Sequence, residues 1–299
     1  MKGLKVLKGE IGWLKKNGLQ VLLVVVLTLV CAVYLFPIYW TVVTSLKTNS
    51  EVFSRPPIFF PSSFTLSNFY TSADVFRAVS QTAVGSVPWM IDSTIIAVVA
   101  TLVSTFLIAA PAAYALVRYI RSSWLARLIL FMTMIPEAVF VVPFFIIVAK
   151  ISLLNTWWGL ILVYISFSAP FSTWLLMGFF NDVPKSVEEA AQIDGLSPYQ
   201  IFYRISLRLV TPGIIAALIL SFISCWNELL YALVITYSPF PAGAQTVPLF
   251  LTSFIIVEKS FAWGGLAAAG IFTMLPTLIM GIYAQRYLAR GLTLGSVKG

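Results

Sequence analysis

Histidine is absent from all 299 residues of this chain. Its absence removes zinc proteases, histidine-based triads and the commonest transition-metal ligand together. Cysteine is almost absent. Cys31 and Cys225 lie far apart, each inside an apolar run, so neither a disulfide framework nor a cysteine/histidine metal site is expected, and both thiols read as small buried hydrophobes. There is no Gly-x-Ser-x-Gly elbow and no Gly-x-x-x-x-Gly-Lys-Ser/Thr phosphate loop, since no glycine is followed by lysine. The chain is therefore expected to carry no catalytic residue, no metal and no nucleotide of its own. Charge is scarce as well: 10% of residues are charged and 60% hydrophobic, with a mean hydropathy of +0.94. So few charges cannot cover a water-soluble surface, so an all-α polytopic membrane protein is expected.

What is present is a series of apolar runs, each near the roughly 20 residues that cross a bilayer. Six are read: Leu19 to Thr44, Ser93 to Val117, Leu125 to Ala149, Trp158 to Phe180, Thr211 to Tyr237 and Trp263 to Ala284. The third holds Pro136 and Pro143, and the fifth holds Asn227 and Glu228, so these two are the least regular. An even number of spans puts both termini on one side. That side collects 14 of the 19 basic residues, leaving Lys47, Arg55, Arg77, Lys150 and Lys259 opposite. The positive-inside rule makes it the cytoplasm. The net charge of +8 thus reflects topology and anionic lipid, not nucleic acid. The apolar run after the first lysines is too long for a signal-peptide core and lacks a small-residue cleavage site, so an uncleaved span is expected. The division is a cytoplasmic segment 1–18, a membrane domain 19–290 and a cytoplasmic tail 291–299.

One cytoplasmic loop is polar, at 184–208, with "EEAAQIDGLSPYQIFYRI" from Glu188 to Ile205. Ser186 followed by Glu189 has capping-box spacing, Gly195 suits the left-handed residue that closes a helix, and Ser197 with Pro198 opens a second one. Val187, Ala190, Ala191 and Asp194 fall on one helical face of small side chains. Either a groove on another protein or the membrane interface would accept that face. Two acids fall within spans, Glu137 and Glu228. A charge facing lipid at mid-bilayer costs about 2.5 to 3.5 kcal/mol on insertion scales, so both are expected to face the bundle, a wet cavity or the interface. Asn227, Ser168 and Ser172 belong to the same candidate path, although hydroxyls also let helices pack closely. Trp157, Trp158 and Trp263 read as membrane-interface belts.

Glu189, Ala190, Ala191, Asp194 and Gly195, with Ile205 and Leu207 nine and eleven residues past the glycine, resemble the EAA loop of bacterial ABC-importer permeases. "LFPIYWTVVTSLK", "AAYALVRY", "WNELLYAL" and the terminal "QRYLARGLTLGSVKG" extend the resemblance over nearly the whole chain, to the maltose-type, MalG-like carbohydrate branch. Arg208 stands where many relatives carry proline. The resemblance implies a type I importer permease of about six transmembrane helices in the inner membrane of a prokaryote. It implies a coupling helix built on Glu188, Glu189, Ala190, Ala191, Asp194 and Gly195, seated in a separate ATPase. It also implies a second, MalF-like permease, two ATPase subunits binding ATP and Mg, an extracytoplasmic solute-binding protein and a carbohydrate substrate. The competing class is an autonomous secondary transporter or channel, but neither paired inverted repeats nor a regular series of intramembrane charges is seen.

Overall fold

The computed structural model describes residues 2–69, 87–120, 122–236, 244–256 and 263–294, and these are helical with no strand among them. They fall into two compact units, Met1–Ser72 with Ala262–Ile271, and Ala73–Phe261 with Phe272–Gly299. Four helical stretches are long and apolar enough to cross a membrane, and six if each of two sharply bent pairs counts as one.

In the first unit, helix α1 (Lys2–Ser45) carries the span Gln20–Ser45. Its valines and leucines are exposed along most of that length, a surface suited to lipid or a companion chain. Its hydroxyls do not waste a donor in that setting: Thr28 and Thr41 donate to the carbonyls of Val24 and Pro37, one turn back, at 2.8 and 2.9 Å. The last carbonyls of the helix lack partners within it. Asn68 Nδ2 supplies them, donating to Ser45 O and Lys47 O at 2.9 and 2.7 Å. Gly264 lies against the same amide, where a Cβ would come within 2.5 Å of Asn68 Oδ1. After α1 a single helical turn, α2 (Asn49–Val52), holds Glu51, whose carboxylate accepts from Thr48 N (3.2 Å), Ser62 N (2.8 Å) and the Ser62 hydroxyl. The helix of the second apolar run begins at Val87, ahead of the expected Ser93, and 70–86 lie outside the described residues.

The second unit is built on three mutually packed helices, α3 (Val87–Leu102), α7 (Trp157–Asp182) and α11 (Thr211–Asn227). Lipid is as apolar as leucine, so close packing must come from small residues. Ala97 and Ala100 are buried in one cluster with Leu160, Tyr164 and Trp226, and Ala217 in another with Ala109, Ala113 and Leu176. The α3 helix runs on through Val103–Ala109, α4 (Ala110–Ala115) and Leu116–Ile120, the first and last of these π-helical.

The third expected span is not one helix. Helices α5 (Ser123–Met134) and α6 (Val141–Lys150), joined by a 3₁₀ turn at Glu137–Phe140, meet at 90°. Pro136 has no N–H to continue the ladder and forces Ile135 out of the helical region, to φ −72°, ψ 128°. Pro143, in the first turn of α6, is tolerated. The fifth span is also broken. It was expected to reach Tyr237, but α11 stops at Asn227 and a short helix follows, here called α12 (Leu230–Ile235), with Tyr237 outside the described residues. The last span, in the helix Trp263–Leu294, agrees with the expected Trp263 to Ala284, but the helix continues past Gly291, where the cytoplasmic tail was expected to begin; 295–299 lie outside the described residues.

Candidate functional site

The polar loop forms two helices, Lys185–Ile193 and Pro198–Ile201, the second continuing through π-helical Phe202–Ser206 to Leu209. Gly195 has φ +84°. The amide of Leu196 reaches Ala191 O at 3.1 Å and that of Gly195 reaches Gln192 O at 3.0 Å, the bond pair of a Schellman closure. Ser197 caps the second helix with Pro198 at its first turn, and Gln200 completes a capping box with it. The first helix begins differently from expectation. It starts at Lys185 behind Pro184, so Ser186 is already inside its first turn and the Ser186/Glu189 capping box does not form. The stretch Pro198–Leu209 then meets α11 at 75°. Val210 makes the bend, with Arg208 exposed and Arg208 O accepting from Thr211 Oγ1 at 2.7 Å.

Inside the bend lies a charge pair that sequence reading missed. Arg118 Nε donates to Glu188 Oε2 at 2.8 Å with both side chains buried, and Arg118 NH2 donates to Val183 O at 2.9 Å. The other Glu188 oxygen accepts from Ser206 Oγ at 2.7 Å. Arg118 and Ser206 both sit on π-helical turns, Leu116–Ile120 and Phe202–Ser206. A π turn shifts the side chains that follow it around the helix axis and often marks a functional position. Around the pair, Tyr114 packs against Phe202 and Phe180 at centroid distances of 5.0 and 5.5 Å. The glutamate thus holds the loop to its own span end.

The expected coupling residues therefore divide. Glu188 and Ala191 face inward and are buried, whereas Glu189, Ala190, Asp194 and Gly195 are exposed. A patch unseen in sequence accompanies the exposed set: Ile193 is 87% exposed, Tyr199 79% and Tyr203 63%. Large apolar side chains that bare are suited to contact with another protein or with lipid.

The candidate path residues divide too. Glu228 is buried, and its carboxylate accepts from Tyr164 OH (2.9 Å), Tyr231 N (2.7 Å) and Ala232 N (3.2 Å). It terminates the helix break by satisfying the free amides that open α12. Asn227 is exposed, bonded to Ile223 O and Thr277 Oγ1. Ser172 is buried and shares a 2.8 Å bond with Ser221, and Ser168 donates to Tyr164 O at 2.7 Å. Glu137 and Ser168, but not Asn227, Glu228 or Ser172, line a cavity of about 290 Å³. Its walls combine the rings of Phe140, Phe144, Phe167, Phe171 and Tyr231 with the hydroxyls of Thr133, Ser166, Ser221 and Ser224. Tyr231 OH donates to the backbone carbonyl of Glu137 at 2.9 Å, tying the two helix breaks together. Among the described residues no group of three or more Cys, Asp or Glu side chains is placed to hold a metal.

Residues 105–294 match the family described as binding-protein-dependent transport system inner membrane component. The diacetylchitobiose uptake system permease protein DasC of Streptomyces coelicolor is 35% identical over 88% of this chain and 92% of its own length. The trehalose transport system permease protein SugB of Mycobacterium tuberculosis is 35% identical over 91% of this chain and 95% of its own. A solved chain of a bacterial ABC transporter that imports the acidic polysaccharide alginate superposes with a TM-score of 0.72 over 91% of this chain and 97% of that one, at 20% identity, a likeness of fold.

Proposed function

The chain belongs to the family of binding-protein-dependent transport system inner membrane components, and on that premise we propose that it is the permease subunit of an ATP-driven importer for a saccharide, driven through the loop 184–208 by an ATPase on a separate chain. The carrying observation is that the loop is rigidly held on one side and bare on the other. The Arg118–Glu188–Ser206 bonds fix it to the second span, and Ile193, Tyr199 and Tyr203 stand ready for a partner. A bonded connection of this kind turns movement of a docked partner into movement of the span. The saccharide class comes from the relatives, which carry diacetylchitobiose and trehalose, and agrees with a cavity of rings and hydroxyls. A second permease, two ATPase subunits with ATP and Mg, and a solute-binding protein complete the assembly, with both termini in the cytoplasm. Glu137 and Ser168 are the path residues of this reading, while Ser172 ties its helix to Ser221 and Asn227 and Glu228 support the adjoining helix break.

The test is purification of the tagged chain from its membrane in mild detergent. An ATPase with a phosphate-loop motif should accompany it and be lost on Ile193→Asp or Ala190→Arg, substitutions of exposed positions that spare the chain's own packing. Ala191→Arg would not discriminate, because Ala191 is buried against its own chain. Recovery of a homo-oligomer alone, with uptake following an ion gradient, would instead establish an autonomous carrier.

A further inference from the structure

The cavity at the break between α5 and α6 has an asymmetry of charge. Among the described residues its lining holds one carboxylate, Glu137, and no lysine or arginine. Glu228, the neighbouring acid, is consumed by three bonds from its own chain. The Glu137 side chain is exposed and, among the described residues, meets no hydrogen-bond partner. It is held at the rim by the backbone bond from Tyr231 OH and by the 3₁₀ turn Glu137–Phe140.

We propose that this cavity is a solute chamber that admits uncharged or cationic saccharides and turns away anionic ones, with Glu137 as the discriminating group. This rests on the permease reading above. Phe167 and Tyr231, whose rings lie parallel to within 9° with centroids 6.1 Å apart, both line the cavity and bring apolar ring surface to the C–H face of a sugar. Ser166, Ser224 and Thr133 offer hydroxyls that both donate and accept. A carboxylate only accepts hydrogen bonds, so it suits sugar hydroxyls and has nothing to offer a uronate or sulfonate. With low-dielectric walls and no lysine or arginine among the described lining residues, its field concentrates inside the chamber. A volume of about 290 Å³ lies near the lower end of the range of small-molecule sites, about 300–1,000 Å³, in keeping with one or two sugar rings at a time.

The experiment reads the chamber's potential directly and needs no knowledge of the substrate. In the transporter purified with its companion subunits, carrying Cys31→Ser and Cys225→Ala, Ser224→Cys becomes the reporter thiol. Its rates are measured with the cationic ethyltrimethylammonium and the anionic sulfonatoethyl methanethiosulfonates, each divided by the rate with a free thiol in solution. We expect the cationic reagent to be favoured about tenfold, and Glu137→Gln to bring the ratio close to one. A ratio near one in the parent, a ratio unmoved by Glu137→Gln, or no labelling by either reagent would each overturn the proposal. ATP-driven uptake by the unmodified transporter, followed in parallel, reports separately on the permease reading. A charge preference without ATP-driven uptake keeps the chamber and overturns the permease.

Discussion

Among the described residues two helix breaks, at Pro136 and after Asn227, each have a glutamate beside them, and the chain uses the two acids in opposite ways. At the end of α11 the break follows Asn227, and Glu228 is drawn inward to accept three bonds that hold the broken ends together. Between α5 and α6 the break is made by Pro136, which needs no acid, and Glu137 is left facing a cavity. A buried carboxylate with both oxygens engaged is structural. One spared by its own backbone is available to a solute. Glu188 belongs with Glu228: it too is buried and bonded at both oxygens, although the loop that carries it bares Ile193, Tyr199 and Tyr203 elsewhere.

The sharpest way to break this division is to remove a partner from a bonded acid. Arg118→Ala strands Glu188 in a buried site, and losing one member of such a pair costs about 3–5 kcal/mol. We expect the variant to assemble poorly. Arg118→Ala with Glu188→Ala should recover a large part of the loss, because no unpaired charge remains. Thermal unfolding of the detergent-purified chain checks both; a double variant as unstable as the single would show that the pair is not the anchor.

The next effect is at Glu228. Glu228→Ala leaves Tyr164 OH and two backbone amides without their acceptor, at about 1–3 kcal/mol for each buried group left unsatisfied. Cys225, buried one turn before the break, supplies the readout. In a Cys31→Ser background its labelling by a thiol-reactive dye on heating should begin at a lower temperature in Glu228→Ala, with Glu228→Gln in between. Equal onset temperatures in all three would remove Glu228 from the structural class. Glu137→Gln should move the same onset by no more than about 0.5 kcal/mol equivalent, the level of a substitution away from core features.

Much of this architecture was legible from hydropathy and capping chemistry. The fourth apolar run, read as Trp158 to Phe180, is the helix Trp157–Asp182, and Gly195, Ser197 and Pro198 take the conformations their types favour. Local rules fail where a partner is distant in sequence. Arg118 and Glu188 are 70 residues apart, and nothing in a nine-residue amphipathic helix tells which of Glu188 and Glu189 turns inward. The prolines at 136 and 143 flagged an irregular span, yet only the extended backbone at Ile135 made it a right-angled one. Glu137 and Glu228 read alike because each is an acid in an apolar run; burial and backbone amides separate them, and both are tertiary.

Glu51 extends the division outside the spans and gives its mildest test. Bonds from the Ser62 hydroxyl and amide, with a further one from Thr48 N, hold its pKa down at about 2, against an ordinary 4.5. A carboxyl whose folded value is depressed stabilises the fold fully above its unfolded value and stops doing so as pH falls through the folded one. The window is therefore between about 4.5 and 2. Amide hydrogen exchange at Ser62 and Thr48, compared with Glu51→Gln to cancel the intrinsic pH dependence of exchange, should show protection by Glu51 at pH 6 that dwindles toward pH 2. The effect should stay local, because the carboxylate's bonds join α2 only to the loop beside it. Protection independent of pH across that window would mean that the loop is held by Asn68 and the α1 carbonyls alone, and Glu51 would leave the class of bonded acids.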